Sequence, residues 1–74
     1  MRGLIDNKGE HFANLDGDRL YTLDGELSGY HRGDKIVDLR GTEIWVVIGD
    51  GVYMPDGIQQ VGYFGEDRPS HFIF

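Results

Sequence analysis

The sequence predicts a small all-β domain built from four β-hairpins, and three observations support this prediction. The stretch from Leu20 to His31 reads as a strand, a tight Asp-Gly turn and a returning strand, which is the strongest short-range hairpin signal. The stretch from Val52 to Phe64 repeats its pattern, Tyr-x-x-Asp-Gly followed by Gly-Tyr. No stretch shows the apolar period of about 3.6 residues that is typical of a helix.

An internal repeat extends this pattern over most of the chain. Offsetting the chain by about 32 residues pairs identical residues at the predicted turns: Asp6 with Asp38, Gly9 with Gly41, Gly17 with Gly49, Asp18 with Asp50, Tyr21 with Tyr53, Asp24 with Asp56 and Gly25 with Gly57. Self-similarity at a fixed period indicates a repeated structural unit. We therefore predict a tandem duplication, with repeat one at residues 4–31, repeat two at residues 36–64 and a short C-terminal strand or tail at residues 65–74.

Each repeat holds two predicted hairpins, arranged with pseudo-twofold to pseudo-fourfold symmetry. In chain order the hairpins are residues 3–15, 20–31, 35–48 and 52–64. Asp at the start and Gly at the end of the turns at residues 6–9 and 38–41 favour type I geometry. Repeat two carries one extra residue near Gln60 or Val61, which we expect to form a β-bulge.

The most apolar segment is Ile44–Ile48, which reads Ile-Trp-Val-Val-Ile and predicts a strand buried on both faces. The equivalent segment of repeat one, residues 12–16, is about half as apolar, and Trp45 stands where repeat one has Ala13. Two interpretations follow. Either Trp45 and Val46 complete the core, or one of them faces a partner chain.

The length of 74 residues allows one domain, residues 1–74, with limited capacity to bury surface. There is no cysteine, so neither a disulfide nor a zinc–thiolate site can stabilise the fold. Oligomerisation or a bound ligand is then the expected additional stabiliser, and of the two we expect a homodimer. The apolar C-terminal residues Phe72, Ile73 and Phe74 are expected to dock as an edge strand, on this domain or on a neighbour.

The net charge of −6 argues against binding to nucleic acid or to an anionic membrane. No apolar run approaches the ~20 residues of a membrane span, and the N-terminus lacks the apolar core of a signal peptide. Together with the lack of cysteine, these features predict a cytoplasmic protein of bacterial or phage origin.

The polar residues give no catalytic or metal-binding pattern, so we expect neither enzymatic activity nor a cofactor. The alternation of Asn14, Asp16 and Asp18 resembles a calcium loop but lacks its glycine and its final carboxylate at the required spacing. The histidines have no ligand spacing. An alternative is that symmetry gathers four turn aspartates around one axis, where a cation could bind: Asp6, Asp24, Asp38 and Asp56.

Four tyrosines are shared by the two repeats: Tyr21, Tyr30, Tyr53 and Tyr63. Tyrosine suits a half-buried strand position with its hydroxyl group at the rim. Paired aromatic rings between hairpins can also bind a sugar or a quaternary ammonium group. These four residues are therefore the candidate ligand-binding residues, and the first interpretation is that they only complete the packing.

The turn motifs Asp6-x-x-Gly9, Tyr21-x-x-Asp24-Gly25, Asp38-x-x-Gly41 and Tyr53-x-x-Asp56-Gly57 resemble those of the four-fold beta-flower family. The resemblance covers residues 3–64 and implies four hairpins placed like petals around an axis. That family has no established activity, so the resemblance implies no site residues. Residues 3–9 are also similar to Trp-Gly type repeats, and Tyr-x-x-Asp-Gly to choline-binding cell-wall repeats.

Two functions are expected from these features. The first is a non-catalytic module for protein interaction or self-association, with Trp45, Val46 and the segment Phe72–Phe74 as interface residues. The alternative is small-molecule or glycan binding between hairpins through the tyrosines. An enzyme would need a cleft that holds His11 or His31 near a carboxylate.

Overall fold

The structure, a computed structural model, describes residues 1–67 as eight antiparallel β-strands with no helix. The strands are β1 Arg2–Asp6, β2 His11–Asp16, β3 Arg19–Thr22, β4 Leu27–Arg32, β5 Lys35–Asp38, β6 Glu43–Ile48, β7 Gly51–Tyr53 and β8 Gln60–Asp67. The prediction of an all-β fold is confirmed. Within these residues, nothing helical is long and apolar enough to cross a membrane.

The strands form one sheet that closes on itself as a barrel. Each strand pairs with the next in the chain, and β1 pairs with β8 through contacts such as Ile5 with Tyr63. The strand β8 extends to Asp67, so the first residues of the predicted tail take part in closing the barrel. Closure leaves no unpaired edge strand in this sheet. The predicted interface segment Phe72–Phe74 lies outside the described residues.

The connecting turns alternate between the two ends of the barrel. We call the end that carries the β1–β2, β3–β4, β5–β6 and β7–β8 turns the hairpin-tip end; its turns are residues 7–10, 23–26, 39–42 and 54–59. Each of the seven turns between these strands contains a glycine with positive φ, a backbone conformation that residues with a Cβ atom rarely adopt. These glycines are spaced eight residues apart: Gly9, Gly17, Gly25, Gly33, Gly41, Gly49 and Gly57.

The core fills the inside of the barrel. Four side chains from the odd-numbered strands are almost completely buried: Leu4, Leu20, Ile36 and Val52. Leu15 and Phe64 from even-numbered strands join them. The prediction that β6 is buried on both faces is wrong, because its residues 43–47 are half-buried and Ile48 is 55% exposed. One face of each strand in the closed sheet points to solvent, so even a continuous apolar run stays partly exposed.

The β-bulge predicted near Gln60 or Val61 is present, because the pairing of β7 with β8 shifts register opposite Val61. All four strand pairs at the hairpin tips contain a register shift, at Leu4/Ile5, Leu20/Tyr21, Ile36/Val37 and Val52/Tyr53. The register shift opposite Val61 thus has an equivalent in each of the other three hairpins, and it does not depend on an additional residue in β8. The β7–β8 turn is one residue longer than the β1–β2 turn, because Met54 N–H donates to the carbonyl group of Gln59, five residues on, whereas Asp6 N–H donates to that of Glu10, four residues on. The additional residue therefore lies in the turn and not in β8.

Candidate functional site

A cleft of about 240 Å³ lies on the outer face of strands β2 and β3. Its lining residues are Met1, Asn14, Asp16, Tyr21, Thr22, Leu23, Asp24 and Gly25. Asn14 and Tyr21 are cross-strand partners, and their sequence neighbours Leu15 and Leu20 point into the core. The alternation of side chains along each strand therefore places Asn14 and Tyr21 on the outer face.

The cleft combines an aromatic ring with acidic and amide groups. His11 Nε2 lies 2.7 Å from Asn14 Oδ1, and this contact orients the amide group of Asn14, which lines the cleft. The carboxylates of Asp16 and Asp24 are exposed, and both line the cleft. An aromatic face beside carboxylates can bind a small organic cation or a polyhydroxylated ring.

The other three candidate tyrosines lie on other strand pairs. Tyr30 is opposite Val37 and carries the Arg32 guanidinium 5.3 Å from its ring centre. The remaining two tyrosines pair outside the cleft as well: Tyr53 with Val46, and Tyr63 with Ile5. No two tyrosines are direct cross-strand partners, but the Tyr53 ring lies over Gly51, which pairs with Tyr63 on the neighbouring strand. Of the four, Tyr21 lines the cleft.

The two interface candidates in β6 have different environments. Trp45 packs against the core, and its ring meets Phe12 edge to face with a centroid distance of 6.1 Å. Val46 is half-buried on the outer face, opposite Tyr53. Trp45 therefore contributes to the packing inside this chain.

The hairpin-tip end carries a group of exposed apolar side chains that sequence reasoning missed. Leu23 is 56% exposed, Leu39 59%, Met54 38% and Ile58 83%. All four lie in turns at this end. The available signal was the presence of Leu and Ile at turn positions, where Gly, Pro, Asn, Asp and Ser predominate for conformational reasons.

The aspartates that open two of these turns have a local function. Asp6 Oδ1 accepts hydrogen bonds from the N–H groups of Lys8 and Glu10. Asp38 Oδ1 accepts the equivalent bonds from Arg40 and Thr42. Within residues 1–67, no three acidic or histidine side chains are grouped as metal ligands. The turn aspartates thus stabilise the turns themselves.

His11 and His31 lie in different environments. The centre of the His31 ring lies 6.2 Å from that of the Phe64 ring, and its buried Nε2 atom has no hydrogen-bond partner among residues 1–67. Asn14, to which His11 is bonded, lines the cleft. The cleft lining therefore includes Asn14, whose side chain is hydrogen-bonded to His11, together with Asp16.

Comparison with known proteins identifies no relative of this chain. No protein-family model matches the chain, and neither a curated protein nor a solved structure matches it. The cleft at Tyr21 and the hairpin-tip end are thus the two surfaces from which a function can be inferred.

Proposed function

We propose that this chain is a non-catalytic interaction module that associates with itself through the hairpin-tip end. The observation that carries the proposal is the exposure of Leu23, Leu39 and Ile58 in three turns at one end of the barrel. Single exposed apolar residues are common on protein surfaces. Several on one end indicate a protein contact, because covering them removes apolar surface from water.

Local structure does not require these side chains. The turn conformations depend on Gly25, Gly41 and Gly57, which have positive φ, and on hydrogen bonds such as that from Gly41 N–H to the carbonyl group of Asp38. A polar residue at position 23 or 39 would satisfy the same geometry. Contact with another chain gives a reason for leucine at these positions.

We also propose that the fold is a tandem duplication with a four-fold arrangement of hairpins, as in the beta-flower family. Three regularities support this proposal. Positive-φ glycines recur every eight residues, and the four register shifts recur every sixteen. The most buried side chains also recur at the sixteen-residue spacing: Leu4, Leu20, Ile36 and Val52.

Sedimentation velocity of the full 74-residue chain over a range of concentrations tests self-association. We expect a concentration-dependent dimer, and a monomer for the triple variant Leu23→Ser/Leu39→Ser/Ile58→Ser. The matched control is Ile48→Ser, which changes an apolar side chain of similar exposure (55%) at the opposite end. A wild-type chain that stays monomeric at the highest concentrations would reject the proposal.

The cleft at Tyr21 supports a second candidate function, the binding of a small organic cation or sugar. Its volume of about 240 Å³ is below the ~300–1,000 Å³ of drug-sized sites, so a ligand of about one ring is the largest it suits. Titration with choline and with N-acetylglucosamine, followed by backbone amide NMR, is the test. We expect shifts confined to residues 14–25 that disappear in Tyr21→Leu and persist in Tyr53→Leu. Uniform or absent shifts would rule this function out.

A further inference from the structure

One charged residue precedes the positive-φ glycine in every turn of the hairpin-tip end. These residues are Lys8, Asp24, Arg40 and Asp56, and all four are exposed. Among residues 1–67, no ion pair involves Lys8, Asp24 or Arg40. The Asp56 carboxylate accepts hydrogen bonds from the N–H groups of Ile58 and Gln59, which favour its charged form.

The order of these charges around the barrel follows from the topology. Because β1 pairs with β8, the four tip turns form a ring in chain order. Their charges therefore alternate around the ring as positive, negative, positive, negative. Neighbouring turns are two strands apart, which is roughly 10 Å at the ~4.8 Å spacing of strands.

A ring of alternating charges is complementary to a second copy of itself. A two-fold axis perpendicular to the barrel axis brings two tip ends face to face. If the axis passes through a turn, like charges meet. If it passes between neighbouring turns, every positive turn meets a negative turn of the other copy. The alternation therefore permits only the second kind of dimer, in which the same surface is used by both subunits.

Two such axes exist, one between the β1–β2 and β3–β4 turns and one between the β3–β4 and β5–β6 turns. The other charged residues of the turns favour the second axis. The β3–β4 turn is the most acidic, because Glu26 follows Asp24. The β5–β6 turn is the least acidic, because Arg40 offsets Asp38, whose Oδ1 is held by backbone N–H groups of its own turn. An axis between these two turns brings the most acidic turn against the least acidic one.

The same axis brings the exposed leucines together. Leu23 and Leu39 precede Asp24 and Arg40 in their turns, so each leucine would face the other leucine of the second copy. We propose that two copies of this chain dock end to end about this axis, with Asp24 of each copy facing Arg40 of the other. This geometry rests on the self-association proposed above and specifies which turns of the two copies are in contact.

Charge reversal in the full chain tests this geometry. Because the dimer is symmetric, Asp24→Lys or Arg40→Glu alters two contacts at once, and we expect each variant alone to dimerise about 10-fold more weakly. An equimolar mixture of the two variants should recover the wild-type affinity, because each lysine at position 24 then faces a glutamate at position 40. The double variant should recover it as well. The control is Asp34→Lys, which reverses the charge of another exposed aspartate, at the opposite end.

Sedimentation equilibrium distinguishes the outcomes. Recovery in the mixture cannot be attributed to misfolding, since both chains are then the same variants that dimerise weakly alone. If the wild-type chain dimerises but both reversals dimerise equally well, the proposed geometry is wrong and the self-association proposal stands. If the wild-type chain does not dimerise, both proposals fail.

Discussion

The ring of buried side chains from the odd-numbered strands predicts a large loss of stability when one of them is shortened. Ile36 is completely buried in the middle of the sheet. Ile36→Ala removes three carbon atoms, and at ~0.8 kcal/mol per buried CH₂ the transfer cost is about 2.4 kcal/mol. The cavity that remains raises the total free-energy cost towards ~5 kcal/mol.

This cost is large for a chain of 74 residues, whose free energy of unfolding is expected to be roughly 4–11 kcal/mol at ~0.05–0.15 kcal/mol per residue. Urea unfolding followed by fluorescence of Trp45, the sole tryptophan, measures it. At an m value near 1 kcal/mol/M, the midpoint should fall by about 2 M or more. The milder variant Ile36→Val, expected to lose ~0.5–1.5 kcal/mol, keeps the measurement possible if the alanine variant unfolds.

The matched control removes the same three carbons from an exposed position. Ile48 is 55% exposed, and Ile48→Ala should cost less than about 1 kcal/mol, mostly through reduced strand propensity. Equal losses in Ile36→Ala and Ile48→Ala would refute the burial assigned to β5 and, with it, the proposed interior of the barrel.

Three further predictions concern other parts of the fold. A Cβ at Gly29 would overlap the carbonyl oxygen of Val37, so Gly29→Ala should lower the free energy of unfolding by ~1–3 kcal/mol, whereas Ser28→Ala in the neighbouring position should cost less than ~1 kcal/mol in the same urea titration. His31→Leu should raise the thermal midpoint, because it removes a buried Nε2 atom that has no hydrogen-bond partner within the part of the chain that the structure describes; a lower midpoint than in the wild type would show that this nitrogen is satisfied in solution. Hydrogen bonds from the N–H groups of Ile58 and Gln59 lower the pKa of Asp56 below its ordinary value of 3.8, so its contribution to stability is complete above that pH and is lost as the pH falls through the lowered pKa; an NMR titration of the carboxyl group with a midpoint at or above 3.8 would contradict this.

The sequence was sufficient to predict the strands and turns because their determinants are local. Gly at the end of a turn and Asp at its start specify the backbone conformation within four or five residues, and the structure places turns at each of the predicted positions. The sequence also holds a shorter regularity. Its glycines recur every eight residues from Gly9 to Gly57, a spacing that fits hairpins of sixteen residues within the predicted repeat of about 32.

Closure of the barrel and the grouping of site residues could not be predicted in this way. Pairing of β1 with β8 joins residues such as Ile5 and Tyr63, and no local pattern specifies so distant a contact. The tyrosines share a motif, but no two of them are paired directly, so similarity in sequence does not specify which residue lies opposite each one. The cleft forms at Tyr21 because its neighbours include Asn14, Asp16 and the side chain of Leu23.

The greater length of the β7–β8 turn shows why the fold tolerates an additional residue at that place. Side chains alternate between the two faces of a strand, so one residue inserted within β8 would exchange inside and outside for every later position. Tyr63 would then point into the barrel and Phe64 out of it. In the turn, the additional residue only lengthens the loop closed by Met54 and Gln59, and Phe64 stays buried in the core. The hairpin-tip end can therefore vary in length and side chain while the interior is kept, which is consistent with the proposed contact between two copies at this end.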